Sequence, residues 1–339
     1  MKILMVVPVN TKRTAGNWVT ANRLKLGLEA HVEKVSVIDV DKVDAEMVRG
    51  YDIIHCFHLY KSGLVIKDVI YKAKKPLAIS FTGTDLSTIN EQNNKIENAE
   101  ALRLLNYAKG IYVFHNEGKD DLKNIGIDAG KVKVVPQAAY PFDEEKGVNF
   151  KEKWSIKPNE IVFLYAGGIR EVKRPLWALD LMEAVHEQNS AVRLELVGPV
   201  LDVKLAEELK NRLKSKWWAN YRGEIPHSQM PYVYGVADII INTSASEGMP
   251  NSLLEAQVFG VPALAHDVAG NRAIVADEIS GLLFKNKDHF ISLAVELAAN
   301  PPWLKALGQK GKSLRFAYDL DAERERYVQL YKMLIDKNC

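Results

Sequence analysis

Short, continuously apolar runs rich in valine and isoleucine alternate with longer amphipathic runs, and the pattern stops once and then starts again. The first series has strand-like runs at 3–7, 35–40, 53–57, 77–81, 111–114 and 132–135. A helical run over 18–28 sets Ala21, Leu24 and Leu28 on one face. Strands that are apolar throughout, separated by helices, are buried on both faces, which predicts βαβ units and a parallel sheet. The series breaks at the charged stretches 143–147 and 153–159, the second holding Pro158, so a linker is read near 143–158. Strands then recur at 161–166, 192–198, 219–222, 238–242 and 262–265, with helices at 175–188, 201–216, 229–236 and 251–259. The tail, 321–336, places Tyr327, Leu330, Tyr331 and Leu334 on one face and reads as a terminal helix.

A chain of 339 residues has room for two domains. The expected division is 1–145 and 155–315, with a last helix at about 318–339 packing back on the first domain. Two doubly wound α/β sheets joined by a short linker imply a cleft. Ligands of such sheets bind beyond the carboxyl ends of the strands. Chemistry is therefore sought in the loops 10–17, 58–63, 82–88, 136–142, 167–174, 198–200, 223–226, 243–251 and 266–272.

Composition narrows the classes. The formal net charge of +2 gives no global basic field for nucleic acid. Two cysteines, Cys56 and Cys339, cannot form a disulfide framework or a cysteine-rich zinc site, which favours a reducing compartment. No run approaches the ~18 apolar residues that span a bilayer. Lys2 followed by the apolar run 3–9 has the outline of a signal peptide. It lacks a small-residue cleavage site, and Lys12 and Arg13 follow directly, so the run reads as a first strand of a cytoplasmic protein.

The most informative segment is Ser244-Ala-Ser-Glu247-Gly248-Met249-Pro250-Asn251-Ser252-Leu-Leu-Glu255-Ala256, which follows a strand and opens a helix. Gly248 permits close backbone approach. Asn251 or Ser252 can cap the helix. Amide groups at a helix start suit a phosphate. Glu247 on the loop and Glu255 inside the helix can accept hydrogen bonds from vicinal sugar hydroxyls. A glutamate pair alone would read as solvated surface; the Gly-Met-Pro-Asn context after a buried strand reverses that.

A second segment, Ala166-Gly167-Gly168-Ile169-Arg170-Glu171-Val172-Lys173-Arg174-Pro175, also follows a strand. The two glycines allow a tight turn, and Pro175 suits a first helical position. Basic side chains at a helix start oppose its dipole, so the cluster is unfavourable unless an anion such as a diphosphate is bound.

Together these segments resemble the retaining glycosyltransferases of the GT-B fold, group 1 or family 4. The resemblance lies in Glu247, seven residues and Glu255; in Ala256-Gln-Val-Phe-Gly260-Val-Pro262; in Val268-Ala-Gly270-Asn271; in the stretch 277–284; and in Arg222-Gly223-Glu224-Ile225-Pro226. It is strongest from about 160 to 285. Gly16-Asn17-x-Val19-Thr20-Ala21-x-Arg23, His58, Thr82-Gly83-Thr84-Asp85 and Arg170-x-Val172-Lys173-x-Pro175 are similar to a subgroup that includes glycosyltransferase 1 domain-containing protein 1 and the selenosugar synthases.

The resemblance implies an α/β chain with two Rossmann-like domains facing across a cleft. The first would bind an unidentified acceptor and the second a nucleotide-sugar, such as a UDP-sugar. It implies that Glu247 contacts the donor sugar, that backbone near Gly248, Met249, Pro250, Asn251 and Ser252 holds the distal phosphate, that Glu255 binds ribose and that Ile225 reads the base. Lys173 and Arg170 would neutralise the departing diphosphate beside Gly167 and Gly168, while Gly16 and Asn17 approach from the first domain. No metal or other cofactor is expected, because basic side chains take a metal's place.

Two departures stand out. Gly168 sits where relatives commonly have arginine, with Arg170 two residues on. Thr82 sits where many relatives have a catalytic histidine, leaving His58 as the candidate replacement; Thr82 and Asp85 are assigned to the acceptor side. His55-Cys56-x-His58 has metal-ligand spacing, but no second cluster completes a site. Trp217 and Trp218 read as packing, and Tyr232 and Tyr234 as helix core or rim. The first strand is not followed by a Gly-x-Gly-x-x-Gly fingerprint, which disfavours a nicotinamide dehydrogenase. An isomerase or phosphorylase of the same fold, and a non-catalytic sugar-nucleotide-binding protein, are the alternatives.

Overall fold

The computed structural model describes residues 1–9, 16–90, 95–142, 149–314 and 319–336. Residues 143–148 of the expected linker and 10–15 of the first candidate loop lie outside them. The chain forms two compact units. One comprises Met1–Ala138 with Glu247–Met249 and the C-terminal segment; the other comprises Ala139–Ser246 and Pro250–Ala317.

The first unit is built on a six-stranded sheet, all of whose pairs are parallel. Its strands are β1 (Lys2–Val7), β2 (Lys34–Asp39), β3 (Ile53–Phe57), β4 (Leu77–Ser80), β5 (Gly110–Val113) and β6 (Val132–Val134), in the order β2-β1-β3-β4-β5-β6. Side chains alternate across a strand. Leu4, Val6, Ile54 and Ile79 therefore join one core, and Ile3, Met5, Val7, Ile53 and Phe57 the other. The second of these cores is closed by helix Gly16–Leu28 and by helix Leu320–Asp336, which contributes Tyr327, Tyr331 and Leu334.

His55 points into that same core. Its Nδ1 lies 2.6 Å from the Tyr331 hydroxyl and its Nε2 2.7 Å from Ser80 Oγ. Burial pushes the His55 imidazole down to about 3, so it is neutral at ordinary pH. Both ring nitrogens are engaged, which accounts for metal-ligand spacing without a metal-ligand geometry.

The second unit carries β7 (Ile161–Ala166), β8 (Val192–Val197), β9 (Ala219–Tyr221), β10 (Ile239–Asn242), β11 (Ala263–His266) and β12 (Gly281–Phe284), again all parallel, in the order β12-β11-β10-β7-β8-β9. Helices Pro175–Gln188 and Lys287–Ala299 bury Leu181, Met182, Phe290 and Leu297 against it. Trp218 joins this core, but Trp217 is 65% exposed, so only one of the two tryptophans packs as expected.

In each sheet the chain starts in the middle, runs to one edge, and returns to run to the other. The reversal falls between β1 and β3 in the first sheet and between β7 and β10 in the second. Crevices at such reversals, beyond the strands' carboxyl ends, are where open α/β sheets hold ligands.

Candidate functional site

Both sequence segments singled out above leave the reversal point of the second sheet, one after β7 and one after β10, and they are tied together. Ala245 N donates to the Val172 carbonyl at 2.8 Å. Thr243 Oγ1 donates to the Lys173 carbonyl at 3.0 Å and the Arg174 carbonyl at 3.2 Å. The turn carrying Arg170 and Lys173 is thereby fixed beside the loop that leads to Glu255. Arg170 Nε is buried without a hydrogen-bond partner among the described residues. A buried unpaired donor is costly and uncommon, and an anion bound there would satisfy it. Arg174 turns away in a left-handed conformation and lies over the Trp177 ring at 5.3 Å.

Helix Asn251–Val258 has Pro250 at its N-cap position, which makes no side-chain cap bond, so Asn251 and Ser252 lie inside the helix and not at the cap expected of them. Proline lacks the side-chain acceptor that a cap requires. Glu255, inside this helix, is 3% exposed. Each of its carboxylate oxygens has a donor: His227 Nε2 at 2.8 Å from Oε1 and the Tyr234 hydroxyl at 2.7 Å from Oε2. Burial, and then the neighbouring Glu255 charge, raise the Tyr234 hydroxyl well above its usual range, so it stays protonated and donates.

The turn bearing Ile225 is anchored by its neighbours. Arg222 Nε donates to Glu195 Oε2 at 2.6 Å, and the guanidinium lies over the Trp154 ring at 5.2 Å. Gly198 N donates to the Gly223 carbonyl at 2.8 Å. Gly167 N donates to the Val197 carbonyl at 3.0 Å. The loops after β7, β8 and β9 thus line one edge of the sheet together. A Cβ on Gly168 would fall 2.6 Å from Leu201 Cδ1, so Leu201 fills the space that a side chain at this position would need.

In the first unit, Asp85 is fully buried. Its Oδ1 accepts from Thr82 N and Gly83 N, both at 3.0 Å, and its Oδ2 accepts from Leu59 N at 3.1 Å. It clasps the turns after β3 and β4 to each other. Asp85 thus orients the backbone of both turns, with His58 Nδ1 3.9 Å from its Oδ2. Thr82 is half-buried at that clasped turn.

His58 directly follows β3 with φ of 82°, a positive value rare for a side-chain-bearing residue. It is 4% exposed. Its Nδ1 accepts from Lys61 N at 3.2 Å, leaving Nε2 to donate to Thr84 Oγ1 at 3.2 Å. Strain of this kind gathers at functional sites.

Gly248 and Met249 belong to this unit too. A Cβ on Gly248 would lie 2.8 Å from the Thr82 carbonyl, an approach that only glycine permits. The Met249 carbonyl accepts from Gln137 Nε2 at 2.6 Å. Glu247 is half-buried. Gly16 and Asn17 open helix Gly16–Leu28, with Gly16 exposed.

Residues 148–313 match the model for glycosyl transferases group 1. Over this stretch, about half of the chain, the sequence carries the pattern of the group 1 glycosyltransferases. Glycosyltransferase 1 domain-containing protein 1 of Xenopus tropicalis is 27% identical over 351 aligned positions, covering 97% of both chains. The UDP-Gal:alpha-D-GlcNAc-diphosphoundecaprenol alpha-1,3-galactosyltransferase of Escherichia coli is 26% identical over 270 positions, 73% of this chain and 66% of the relative. Among solved structures, sucrose-phosphate synthase from Thermosynechococcus elongatus superposes with a TM-score of 0.83 at 18% identity, covering 99% of this chain and 100% of the other. Anabaena HepE in complex with UDP-glucose superposes with a TM-score of 0.79 at 16% identity, covering 98% and 100%. The fold is GT-B.

Three side chains carry contacts that the sequence does not announce. Tyr234 has the pattern of helix core or rim, yet its hydroxyl holds Glu255. His227 directly follows the Arg222–Pro226 motif and holds the other oxygen. Gln137, in the loop 136–142, holds the Met249 carbonyl.

Proposed function

We propose that this protein is a retaining glycosyltransferase that moves a sugar from a nucleoside-diphosphate sugar to an acceptor nucleophile without a metal ion. The observation that carries the reading is the pairing, at one sheet reversal, of a buried unpartnered Arg170 Nε with a buried Glu255 whose oxygens are oriented by two donors. The first suits a diphosphate and the second a ribose diol. The second unit is then the donor domain and the first the acceptor domain.

In this reading the base meets the backbone at Ile225, and the ribose hydroxyls donate to Glu255. The diphosphate meets Arg170, Lys173 and the helix start at Asn251–Ser252. Glu247 contacts the sugar. As the glycosidic bond to the donor phosphate breaks, negative charge grows on the leaving diphosphate. Fixed cations and amide groups stabilise that growing charge more than the ground state. The leaving phosphate oxygen takes the acceptor's proton on the face where the new bond forms, so the anomeric configuration is kept.

Because the Escherichia coli relative is named for UDP-Gal and HepE was solved with UDP-glucose, uridine nucleotides are the first to test. Calorimetry with UDP should show binding in EDTA, weakened about 10–100-fold in Glu255→Gln by loss of a charged hydrogen bond. Unchanged affinity in that variant rejects the ribose role. UDP release from a UDP-sugar that requires no added acceptor favours hydrolysis over transfer, and conversion to another UDP-sugar without UDP release favours isomerisation.

A further inference from the structure

The two donors that hold Glu255 differ in kind. Tyr234 is 1% exposed, lies in helix Met230–Tyr234 and stacks on Phe259 at 5.7 Å. It is part of the core. His227 is 22% exposed at its side chain and sits in the short turn His227–Gln229, directly after Pro226. Its ring is set edge-on against Tyr140 at 4.5 Å and tilted against Phe142 at 5.0 Å. A carboxylate oxygen only accepts, so Nε2 carries the proton of this contact. The ring is packed between these aromatic contacts and directs its Nε2–H at Glu255.

A carboxylate has about four acceptor positions, two on each oxygen. Among the described residues, His227 and Tyr234 take one on each. One position is left on each oxygen, which is the arrangement that two vicinal hydroxyls require. Without His227, one carboxylate oxygen would be undirected, and the pair of remaining positions would no longer be presented together. His227 also belongs to the chain segment that continues from the 223–226 turn, so the same residue connects that turn to the Glu255 helix.

We infer that His227 is a positioning residue for recognition of a ribose cis-diol, holding the Glu255 carboxylate in the orientation that accepts from both hydroxyls. The inference rests on the proposed donor site and adds to it a residue that sets selectivity for ribonucleotides over deoxyribonucleotides.

The test uses the full chain and calorimetry with UDP, GDP and ADP, followed by the 2′-deoxy form of whichever binds most tightly. The wild type should prefer the ribonucleotide by about tenfold or more, the value of one lost hydrogen bond to a charged group. His227→Phe keeps a ring against Tyr140 and Phe142 but has no N–H. It should lose about tenfold in affinity for the ribonucleotide and nothing for the deoxy form, which abolishes the preference. His227→Gln, which can donate again, should restore part of it, and it serves as the working variant should His227→Phe fail to give a wild-type melt. A wild type that binds none of the three, or that does not discriminate, overturns the donor-site reading itself. A discriminating wild type whose preference survives in His227→Phe overturns the role of His227 alone. Equal losses for both ligands mean that the ring only packs, and overturn it as well.

Discussion

Arg23 and Glu323 are 300 residues apart in the chain, and their side chains meet in a two-point hydrogen-bonded pair at 2.8 and 3.1 Å with neither residue open to water. The guanidinium also donates to Gln137 Oε1 at 3.2 Å, and Thr20 Oγ1 donates to the same oxygen at 2.6 Å. With its oxygen committed to two donors, the Gln137 amide must turn its NH2 to the Met249 carbonyl. The orientation of one loop carbonyl is therefore set by an ion pair that reaches into the last helix.

Removing one member of that pair leaves a buried, uncompensated charge. Glu323→Ala is expected to destabilise the first unit by about 3–5 kcal/mol. The double variant Arg23→Met with Glu323→Leu should recover most of the loss, because apolar replacements avoid the desolvation cost. Urea unfolding followed by tryptophan fluorescence and circular dichroism measures both. A loss below about 1 kcal/mol in Glu323→Ala would show that the pair behaves as a surface contact.

His55 makes stability depend on acid. Its folded value of about 3 is below the ordinary 6.5, so between these limits the unfolded chain binds the extra proton. Its contribution to stability is complete above pH 6.5 and is lost as the pH falls towards 3, by up to about 1.4 kcal/mol per pH unit. His55→Gln should be less stable at pH 7.5, since the Tyr331 and Ser80 contacts are remade imperfectly. It should also lose stability less steeply in acid. Parallel slopes for the two proteins over pH 4–6.5 would remove His55 as the source.

His58 carries two burdens, a backbone at positive φ and a pair of ring contacts. His58→Ala keeps the strain and loses the contacts, and a loss of about 1–3 kcal/mol is expected together with lower turnover. His58→Gly relieves the backbone but removes the ring. If the ring serves chemistry, His58→Gly melts closer to wild type than His58→Ala while remaining as inactive. Wild-type turnover in His58→Gly would leave the residue a purely structural role.

Lys173→Ala should lower kcat by about 10²–10³ with a smaller change in KM for the donor, since charge grows on the leaving group in the transition state. Arg170→Ala should behave alike, with a larger effect on nucleoside diphosphate binding. Normal kcat at saturating donor in Lys173→Ala would move the role to Arg170 or Arg174.

Much of the architecture was legible because strands buried on both faces must be apolar throughout. β1 and β7 could be read to within a residue for that reason. β12 was not, because Gly281-Leu-Leu-Phe284 is short and opens with the residue least suited to a strand. The loops holding Glu247, Glu255, Arg170 and Lys173 could be found from their place after strands. Their supports could not. Arg23 gives no local sign that its partner waits beyond the second unit. Tyr234 and His227 lie 21 and 28 residues from Glu255, distances that no periodicity links. The positive φ of His58 follows from the close turn after β3, and nothing in the residue type announces it.

The helix that supplies Tyr327, Tyr331 and Leu334 to the first unit has a bearing on how the protein is made. A ribosome delivers Ile3, Met5, Val7 and Phe57 early, together with helix Gly16–Leu28, and the rest of their cover only after the second unit. All of the second unit emerges in between, and at about 5–20 residues per second that interval is on the order of ten seconds or more. Through it, helix Gly16–Leu28 alone covers that side of the first sheet, and the part that Tyr327, Tyr331 and Leu334 will bury stays open, while the second unit has everything needed to close by itself. The order of completion is thus reversed relative to the order of synthesis. The core of Ile3, Met5, Val7 and Phe57 is complete only once residues Leu320–Asp336 have left the exit tunnel.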